Sequence, residues 1–356
     1  MARAGRLRVG ILFGGRSAEH EVSLISAQGV MAAIDQDRFQ AVPMGVTKDG
    51  TWLTPQETQV ALAAIRGKRM GALQEPAGRG FSGRVLVALR RVDVLFPLVH
   101  GTYGEDGSLQ GLLEMLGIPY VGAGVAASAV GMDKALQQMV FRQASLPVPH
   151  SLVVTPPQWN SEMTAVVRQI ESELSYPCYV KPANSGSSIG TTRARSREEL
   201  ADGLAEAFRH DRKALVEQAI EGRQVECSVL GNDDPQASPL GEIAFSREFY
   251  DYVAKYEDPR TRLIIPADLP PEVSERLRAM AIAVFKSIDC AGMGRVDFFL
   301  AQNGRPYVNE INTIPGFTPM SMYPKLWAAA NLSYSDLITR LIELGLERHQ
   351  EKQGRA

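Results

Sequence analysis

The sequence predicts an α/β protein that opens on a domain built around a parallel sheet. Two observations predict it. Short β-rich runs alternate with helical stretches from the N-terminus onward, and the apolar run at 92–99 is nearly continuous, as a strand buried on both faces of a parallel sheet requires. The length of 356 residues adds room for two or three units on a prior of ~150 residues per domain.

In chain order, Arg8 to Phe13 reads as the first strand, Val22 to Ile34 as a helix, Ala41 to Val46 as a strand and Gln56 to Arg66 as a helix. The Gly-rich segment Met70 to Gly83 reads as a surface excursion ahead of the strand at Val92 to Val99. A first domain over 1–124 follows. A helical stretch from Gly124 to Leu146 then runs into Leu146-Pro-Val-Pro149, which interrupts the chain before a strand at Ser151 to Thr155. Strands at Cys178 to Pro182 and Leu215 to Ala219, with a helix at Arg197 to Phe208, complete a central portion over 125–221. The last portion, 222–356, begins with strands and ends in amphipathic helices at Pro271 to Ile288 and Ser333 to Glu351. No internal repeat is visible.

Composition narrows the function. Lys plus Arg number 38 against 40 Asp plus Glu, a formal charge of −2, which argues against nucleic acid or an anionic membrane as the main partner. The mean hydropathy of −0.11 suits an ordinary globular protein, and no run approaches the ~18 apolar residues of a membrane span. The apolar stretch Val9 to Phe13 is shorter than the ~7–15 residues of a secretory core, so no export signal is expected. Cys178, Cys227 and Cys290 are odd in number and widely spaced, which predicts three buried thiols in a reducing cytoplasm rather than disulfides or a zinc site.

Three familiar motifs fail on context. There is no P-loop. Gly122-Ala-Gly124-Val-Ala-Ala127 has the dinucleotide-binding spacing but ends a domain instead of following a first strand, so a tight turn is the better reading. Gly186-Ser-Ser188-Ile-Gly190 matches a nucleophile elbow, which would make Ser188 a hydrolase nucleophile; yet β-branched Ile189-Gly-Thr-Thr192 follows where a helix is needed, and His210 and His349 lie in polar helical stretches. The same segment reads better as a phosphate loop. Lys181 ends an apolar strand, and the small residues through Ser188 let backbone N–H groups and hydroxyls face an anion.

The hairpin at 293–312 carries the most chemistry. Asn303-Gly304 predicts a two-residue turn that pairs Gln302 with Arg305, and therefore Asp297 with Glu310 and Arg295 with Asn312. These four share one face, while Val296, Phe298 and Ile311 take the other. Directly opposed carboxylates repel, which suggests a divalent cation between them; the alternative is a solvated acidic face eased by Arg295. Magnesium beside arginine and lysines points to phosphoryl transfer from a nucleotide.

At this point the chain resembles the D-alanine:D-alanine ligases of the ATP-grasp group over essentially its whole length. Seven motifs stand in order: Phe13-Gly-Gly-Arg-Ser-Ala-Glu-His-Glu-Val-Ser23, His100-Gly-Thr-Tyr-Gly-Glu-Asp-Gly107, Met132-Asp-Lys134, Lys181 to Ser188, Tyr250-Asp-Tyr-Val-Ala-Lys-Tyr256, Gly294-Arg-Val-Asp297 and Asn309-Glu-Ile-Asn-Thr-Ile-Pro-Gly316. The resemblance implies a three-domain ATP-grasp fold with ATP between the central and C-terminal portions, and ligation of two D-alanine molecules through an acyl phosphate for peptidoglycan precursors. It implies Glu21 on the ammonium of the first D-alanine, and Lys134, Lys181 and Lys255 at the phosphates. Glu217 and Gln224 would meet the nucleotide, and Asp297, Glu310 and Asn312 would hold Mg²⁺ or Mn²⁺, two ions being expected. Arg295 and the Gly316 N–H would face the oxyanion, with His100 and Ser321 at the second D-alanine. Ser187 and Tyr256 would link to Glu21 and close the site. A cytoplasmic homodimer is expected.

Two alternatives accompany this reading. A D-alanine:D-lactate ligase is disfavoured by Tyr256, which those relatives replace, and a noncatalytic nucleotide-binding regulator by the intact set Glu21, Arg295, Asp297, Glu310 and Asn312. One departure stands out: Gln224 occupies a position where the family usually has the glutamate that binds ribose. Glu226, two residues on and on the same strand face, is the other candidate for that contact.

Overall fold

The computed structural model describes residues 5–65, 73, 80–244 and 261–354. Lys255 and Tyr256, most of the expected Met70 to Gly83 excursion and the last two residues lie outside them.

Strand β1 (Leu7–Gly14) pairs in parallel with β2 (Phe39–Val46) and β3 (Val94–Pro97) in the order β2-β1-β3. From Val9 onward β1 is buried on both faces, the reason for its unbroken apolar text. Helix α1 (His20–Ala33) packs on this sheet. Helix α2 (Pro55–Ile65) starts from a capping box in which the Thr54 N–H and hydroxyl both donate to Glu57 Oε2 at 2.8 Å. Two short helices that the sequence reading does not include, α3 (Gly83–Leu89) and α4 (Ser108–Leu116), stand before and after β3 in the chain. Leu73, inside the expected surface excursion, is instead buried, and its N–H donates to His20 Nε2 at 3.3 Å.

The stretch read as one helix is two, α5 (Val125–Met132) and α6 (Lys134–Gln143). Asp133 leaves helical geometry between them, and its carboxylate caps α6 by accepting the Ala135 and Leu136 N–H groups at 3.1 Å.

The central portion is an antiparallel sheet ordered β4 (Ser151–Val154), β7 (Ala214–Gln218), β5 (Cys178–Pro182), β6 (Thr192–Ala194). Helices α7 (Pro156–Glu173), unread in the sequence, and α8 (Arg197–His210) close its core through Trp159, Ile170 and Leu204. The third sheet is also antiparallel, in the order β10 (Arg262–Ile264), β9 (Gln236–Ala244), β8 (Gly222–Gly231), β11 (Gly292–Ala301), β12 (Pro306–Asn312). Helix α9 (Pro271–Ser287) packs Leu277 and Phe285 against Val296, Phe298 and Ile311. This is the apolar face expected for the hairpin.

The last helix of the expected 222–356 unit reaches the first sheet. Helix α10 (Met322–Ala329) leads into α11 (Tyr334–Gly354), whose Leu337, Ile338, Leu341 and Leu344 share one core with Val9, Ile11, Phe13 and Leu24. Arg348 fastens the join: its guanidinium lies 4.3 Å from the Tyr120 ring centroid and donates to the carbonyls of Tyr120 and Gly122. The end of the chain thus packs on the first sheet beside α1, whose Leu24, Ala27 and Val30 cover the same face.

The hairpin turn also differs from expectation. The Ala301 N–H bonds Arg305 O and the Gly304 N–H bonds Ala301 O, with Gly304 at φ 77°, a three-residue loop ending in a left-handed glycine. Pairs near the tip are one residue off the two-residue register: Phe298 faces Val308 and Phe299 faces Tyr307. A bulge then takes up Asn309, and Asp297 faces Glu310 and Arg295 faces Asn312 as anticipated. Two departures cancel before the site is reached.

Candidate active site

A cleft of about 620 Å³ separates the central sheet from the third, with the first domain closing one end. Its floor is the polar face of β8, β11 and β12, where Glu226, Asp297 and Glu310 stand abreast on three neighbouring strands. Each carboxylate has a cation. Arg295 Nε and Nη2 donate to the two oxygens of Asp297, each at 2.7 Å, and Nε lies 2.9 Å from Glu226 Oε2. Lys134 Nζ is 3.1 Å from Glu310 Oε2, and Asn312 Nδ2 donates to Asp297 at 3.0 Å. Burial opposes ionisation of Glu310, but Lys134, Lys181 and Arg295 outweigh it and bring its pKa down to about 2.

Asp297, Glu310 and Asn312 bring oxygen donors to one face, a chemistry that fits Mg²⁺ or Mn²⁺. Among the described residues no group of three or more His, Cys, Asp and Glu is disposed around a single ion. Asn312, the third residue of the expected set, lies on that same face opposite Arg295.

The lysines converge from the roof. Lys181, at the end of β5, donates to Glu217 Oε1 at 2.5 Å and to Asn309 Oδ1 at 3.4 Å. Glu217 is buried and also accepts from Gln138 Nε2 at 2.6 Å, so its carboxylate holds Lys181 in place. Lys134, at the first turn of α6, donates to Ser185 O at 2.7 Å and so ties α6 to the Ser/Gly loop. Ser187 and Ser188 in that loop have φ of 48° and 58°, and no helix follows them as an elbow would require. His210 Nε2 is engaged by Glu206 at 3.1 Å, and His349 by Gln353.

Glu21 does not reach the cleft wall. It faces Lys48 Nζ at 2.5 Å, whereas Glu19 lines the cleft and its Oε1 accepts the hydroxyl of Ser187. The expected Ser187–Glu21 link is corrected to Ser187–Glu19. The reason is local. Glu19 precedes α1 in a bend, and residues two apart at a helix start project differently. Gly186 permits the approach, since a Cβ there would meet Glu19 Oε2 at 3.1 Å. The sequence carried one missed signal: Glu19 and Glu21 occur in the same motif, and only Glu21 falls within the helix first turn.

His100 is buried at the same end. Its Nδ1 lies 3.0 Å from Ile314 O, 3.8 Å from Glu105 Oε1, and its Nε2 3.4 Å from Ser26 Oγ. Burial disfavours the imidazolium, but Glu105 and Glu19 prevail and raise its pKa. Through Ile314 it holds the 312–316 segment that carries Asn312 and Gly316. Gly316 lines the cleft, and Ser321 sits behind it, its Oγ accepting the Thr318 N–H at 3.1 Å. Gln224 lines the cleft beside Phe299, over whose ring Lys181 Nζ stands at 5.8 Å. Glu226 also lines the cleft and pairs with Arg295. Lys255 and Tyr256 lie outside the described residues.

The three cysteines are buried and free, and burial pushes the thiols of Cys227 and Cys290 up to about 12, which leaves them inert. Among the described residues no helix is long and apolar enough to cross a membrane.

Two family models cover the chain, "D-ala D-ala ligase N-terminus" over residues 8–123 and "D-ala D-ala ligase C-terminus" over 140–343. A D-alanine–D-alanine ligase of Geobacillus thermodenitrificans is 48% identical over 98% of both chains, and D-alanine–D-alanine ligase A of Chromobacterium violaceum is 48% identical over 97% of this chain and 96% of its own. Among solved structures, the D-alanine–D-alanine ligase of Coxiella burnetii superposes with a TM-score of 0.82 at 37% identity, covering 99% of this chain and 97% of that one. The VanG D-Ala:D-Ser ligase of Enterococcus faecalis superposes at 0.80 with 33% identity, over 96% and 100%.

Proposed function

This chain belongs to the D-alanine–D-alanine ligase family of the ATP-grasp superfamily, and from that premise we propose how its cleft divides the work. The activity is ATP-dependent ligation of two D-alanine molecules for peptidoglycan precursor synthesis.

A carboxylate does not acylate an amine at neutral pH, so ATP first converts one D-alanine to an acyl phosphate, and the amine of the second displaces phosphate. Glu19, not Glu21, takes the ammonium of the first D-alanine, and Ser187 holds the Glu19 carboxylate in place. Lys134 and Lys181 meet the phosphates, with Lys255 completing the set. Glu217 acts on the nucleotide through Lys181. Asp297, Glu310 and Asn312 hold Mg²⁺ or Mn²⁺, two ions, which when bound offset charge on the transferred phosphoryl group. Arg295 and the Gly316 N–H stabilise the tetrahedral oxyanion. His100 sets the 312–316 segment through Ile314, and Ser321 meets the carboxylate of the second substrate. Gln224 takes the ribose as a neutral partner. Tyr256 ties its loop to Ser187.

The observation that carries this reading is the meeting of Glu19 and Ser187 with the Arg295, Asp297 and Glu310 cluster and two lysines in one cleft. Glu19 supplies a carboxylate for an ammonium a short way from cations suited to a phosphoryl group. The test is to supply ATP, Mg²⁺ and D-alanine and follow ADP, phosphate and dipeptide together. Equal yields of all three are expected, with none from L-alanine; ADP without dipeptide, or AMP as product, would refute the reading. The D-lactate alternative is disfavoured by Tyr256 on sequence alone, and a competition assay against D-lactate decides it. The reading includes a cytoplasmic homodimer; sedimentation of the purified protein checks the dimer, and fractionation of cells the location.

A further inference from the structure

Arg295 is held by two acids, although the proposed mechanism uses only one of them. Asp297 accepts from its Nε and Nη2 and is at the same time a proposed metal ligand. Glu226, on the neighbouring strand β8 directly across from Asp297, is 4% exposed and brings Oε2 to 2.9 Å from Arg295 Nε. The Nε–H is committed to Asp297 at 2.7 Å, so the Glu226 contact is an ion pair whose hydrogen-bond donor is directed elsewhere. Among the described residues no group of three or more His, Cys, Asp and Glu is disposed around a single ion, and Glu226 pairs with Arg295.

We propose that Glu226 is a positioning residue for Arg295. It is the acceptor to which the guanidinium turns its Nε–H when Asp297 engages a divalent cation, so that metal binding does not strand a buried arginine. A buried arginine that lost its acid would be left with an unpaired charge, a far larger penalty than exchanging one carboxylate for another. Glu226 thereby lowers the cost of releasing Asp297 and keeps Arg295 at the cleft floor, aimed where the oxyanion forms. Without it Arg295 would compete with the cation for Asp297.

The inference rests on the proposed metal set, so the experiment separates the two. Mg²⁺ affinity is measured calorimetrically on the ADP complex of the native protein, Glu226→Gln, Arg295→Ala and the double variant. The expected result is at least fivefold weaker Mg²⁺ binding for Glu226→Gln and no further weakening when the same change is made in Arg295→Ala. Equal weakening in both backgrounds would mean that Glu226 acts on the ion directly or through the fold, and would overturn the proposal; so would no weakening in the native background. Failure of the native protein to bind Mg²⁺ at all would overturn the metal reading and this inference with it. If Glu226→Gln does not fold, Glu226→Asp takes its place, with a smaller loss that again vanishes without Arg295. In steady state Glu226→Gln should lower kcat with the KM for D-alanine held within twofold, whereas a merely structural role would lower melting temperature and move both parameters.

Discussion

Glu19→Gln set beside Glu21→Gln distinguishes the structure from the motif reading, since both acids lie in one motif two residues apart. Glu19 faces the cleft and accepts from Ser187, and Gly186 comes close enough that a Cβ would stand 3.1 Å from its carboxylate. If Glu19 receives the ammonium of the first D-alanine, the amide variant loses a charge-assisted hydrogen bond worth about 1.5–3 kcal/mol, or roughly 10- to 150-fold in kcat/KM for that substrate. Glu21 pairs with Lys48, whose side chain is 51% exposed, so its loss should cost about 0–1 kcal/mol of stability and leave the kinetics untouched. Initial rates of ADP release over a D-alanine range resolve the two substrate constants, and the first should carry the effect. An equal loss in Glu21→Gln, or native kinetics in Glu19→Gln, would refute the assignment.

Three further outcomes are expected. Glu310→Gln should abolish most turnover and lower stability by roughly 1.5–3 kcal/mol, because Lys134 and Lys181 lose the carboxylate that both face; melting of the variant without metal measures it, and an unchanged or raised melting temperature would refute it. Gln224→Glu should lower the KM for ATP about fivefold with kcat nearly unchanged, since a charged acceptor adds about 1 kcal/mol at a contact remote from the bond being made; ATP kinetics at saturating D-alanine decide. His20 has its pKa lowered from 6.5, chiefly by burial, while its ring joins Gly15 O and the Leu73 N–H. The unfolded chain therefore takes up its proton first, and stability present above pH ~6.5 is lost as pH falls toward the folded value. Melting temperatures at stepped pH should show a shallower acid loss in His20→Gln, and parallel curves would exclude the role.

Much of the framework was legible because it rests on periodicity. The continuous apolar text of β1 and β3, the amphipathic α9 and the alternation that puts Val296 and Ile311 opposite Arg295 and Asp297 are all local signals. What was not legible depended on tertiary contact. No pattern in Leu337 to Leu344 says that these residues cover β1 rather than the sheet preceding them. The division of α5 from α6 turns on one capping carboxylate, and the cations that neutralise Asp297 and Glu310 come from three different elements. Asn303-Gly304 shows the limit most plainly: the dipeptide marks a turn, but whether Gln302 joins the loop is settled by the strands around it. The functional face was read from the right pairs for a partly wrong reason, since the Asn309 bulge restored what the turn had shifted.

The placement of α11 has a bearing on synthesis. The core that Val9 and Ile11 form with Leu24 of α1 is completed by residues that leave the ribosome more than three hundred positions later, which at 5–20 residues per second is a delay on the order of tens of seconds. Until then α1 alone covers that face of the N-terminal sheet, whose core is finished only when the chain is nearly complete. A nascent chain stalled or truncated before Leu337 should therefore present that face to chaperones even when its central sheet, with its own enclosed core, is already folded.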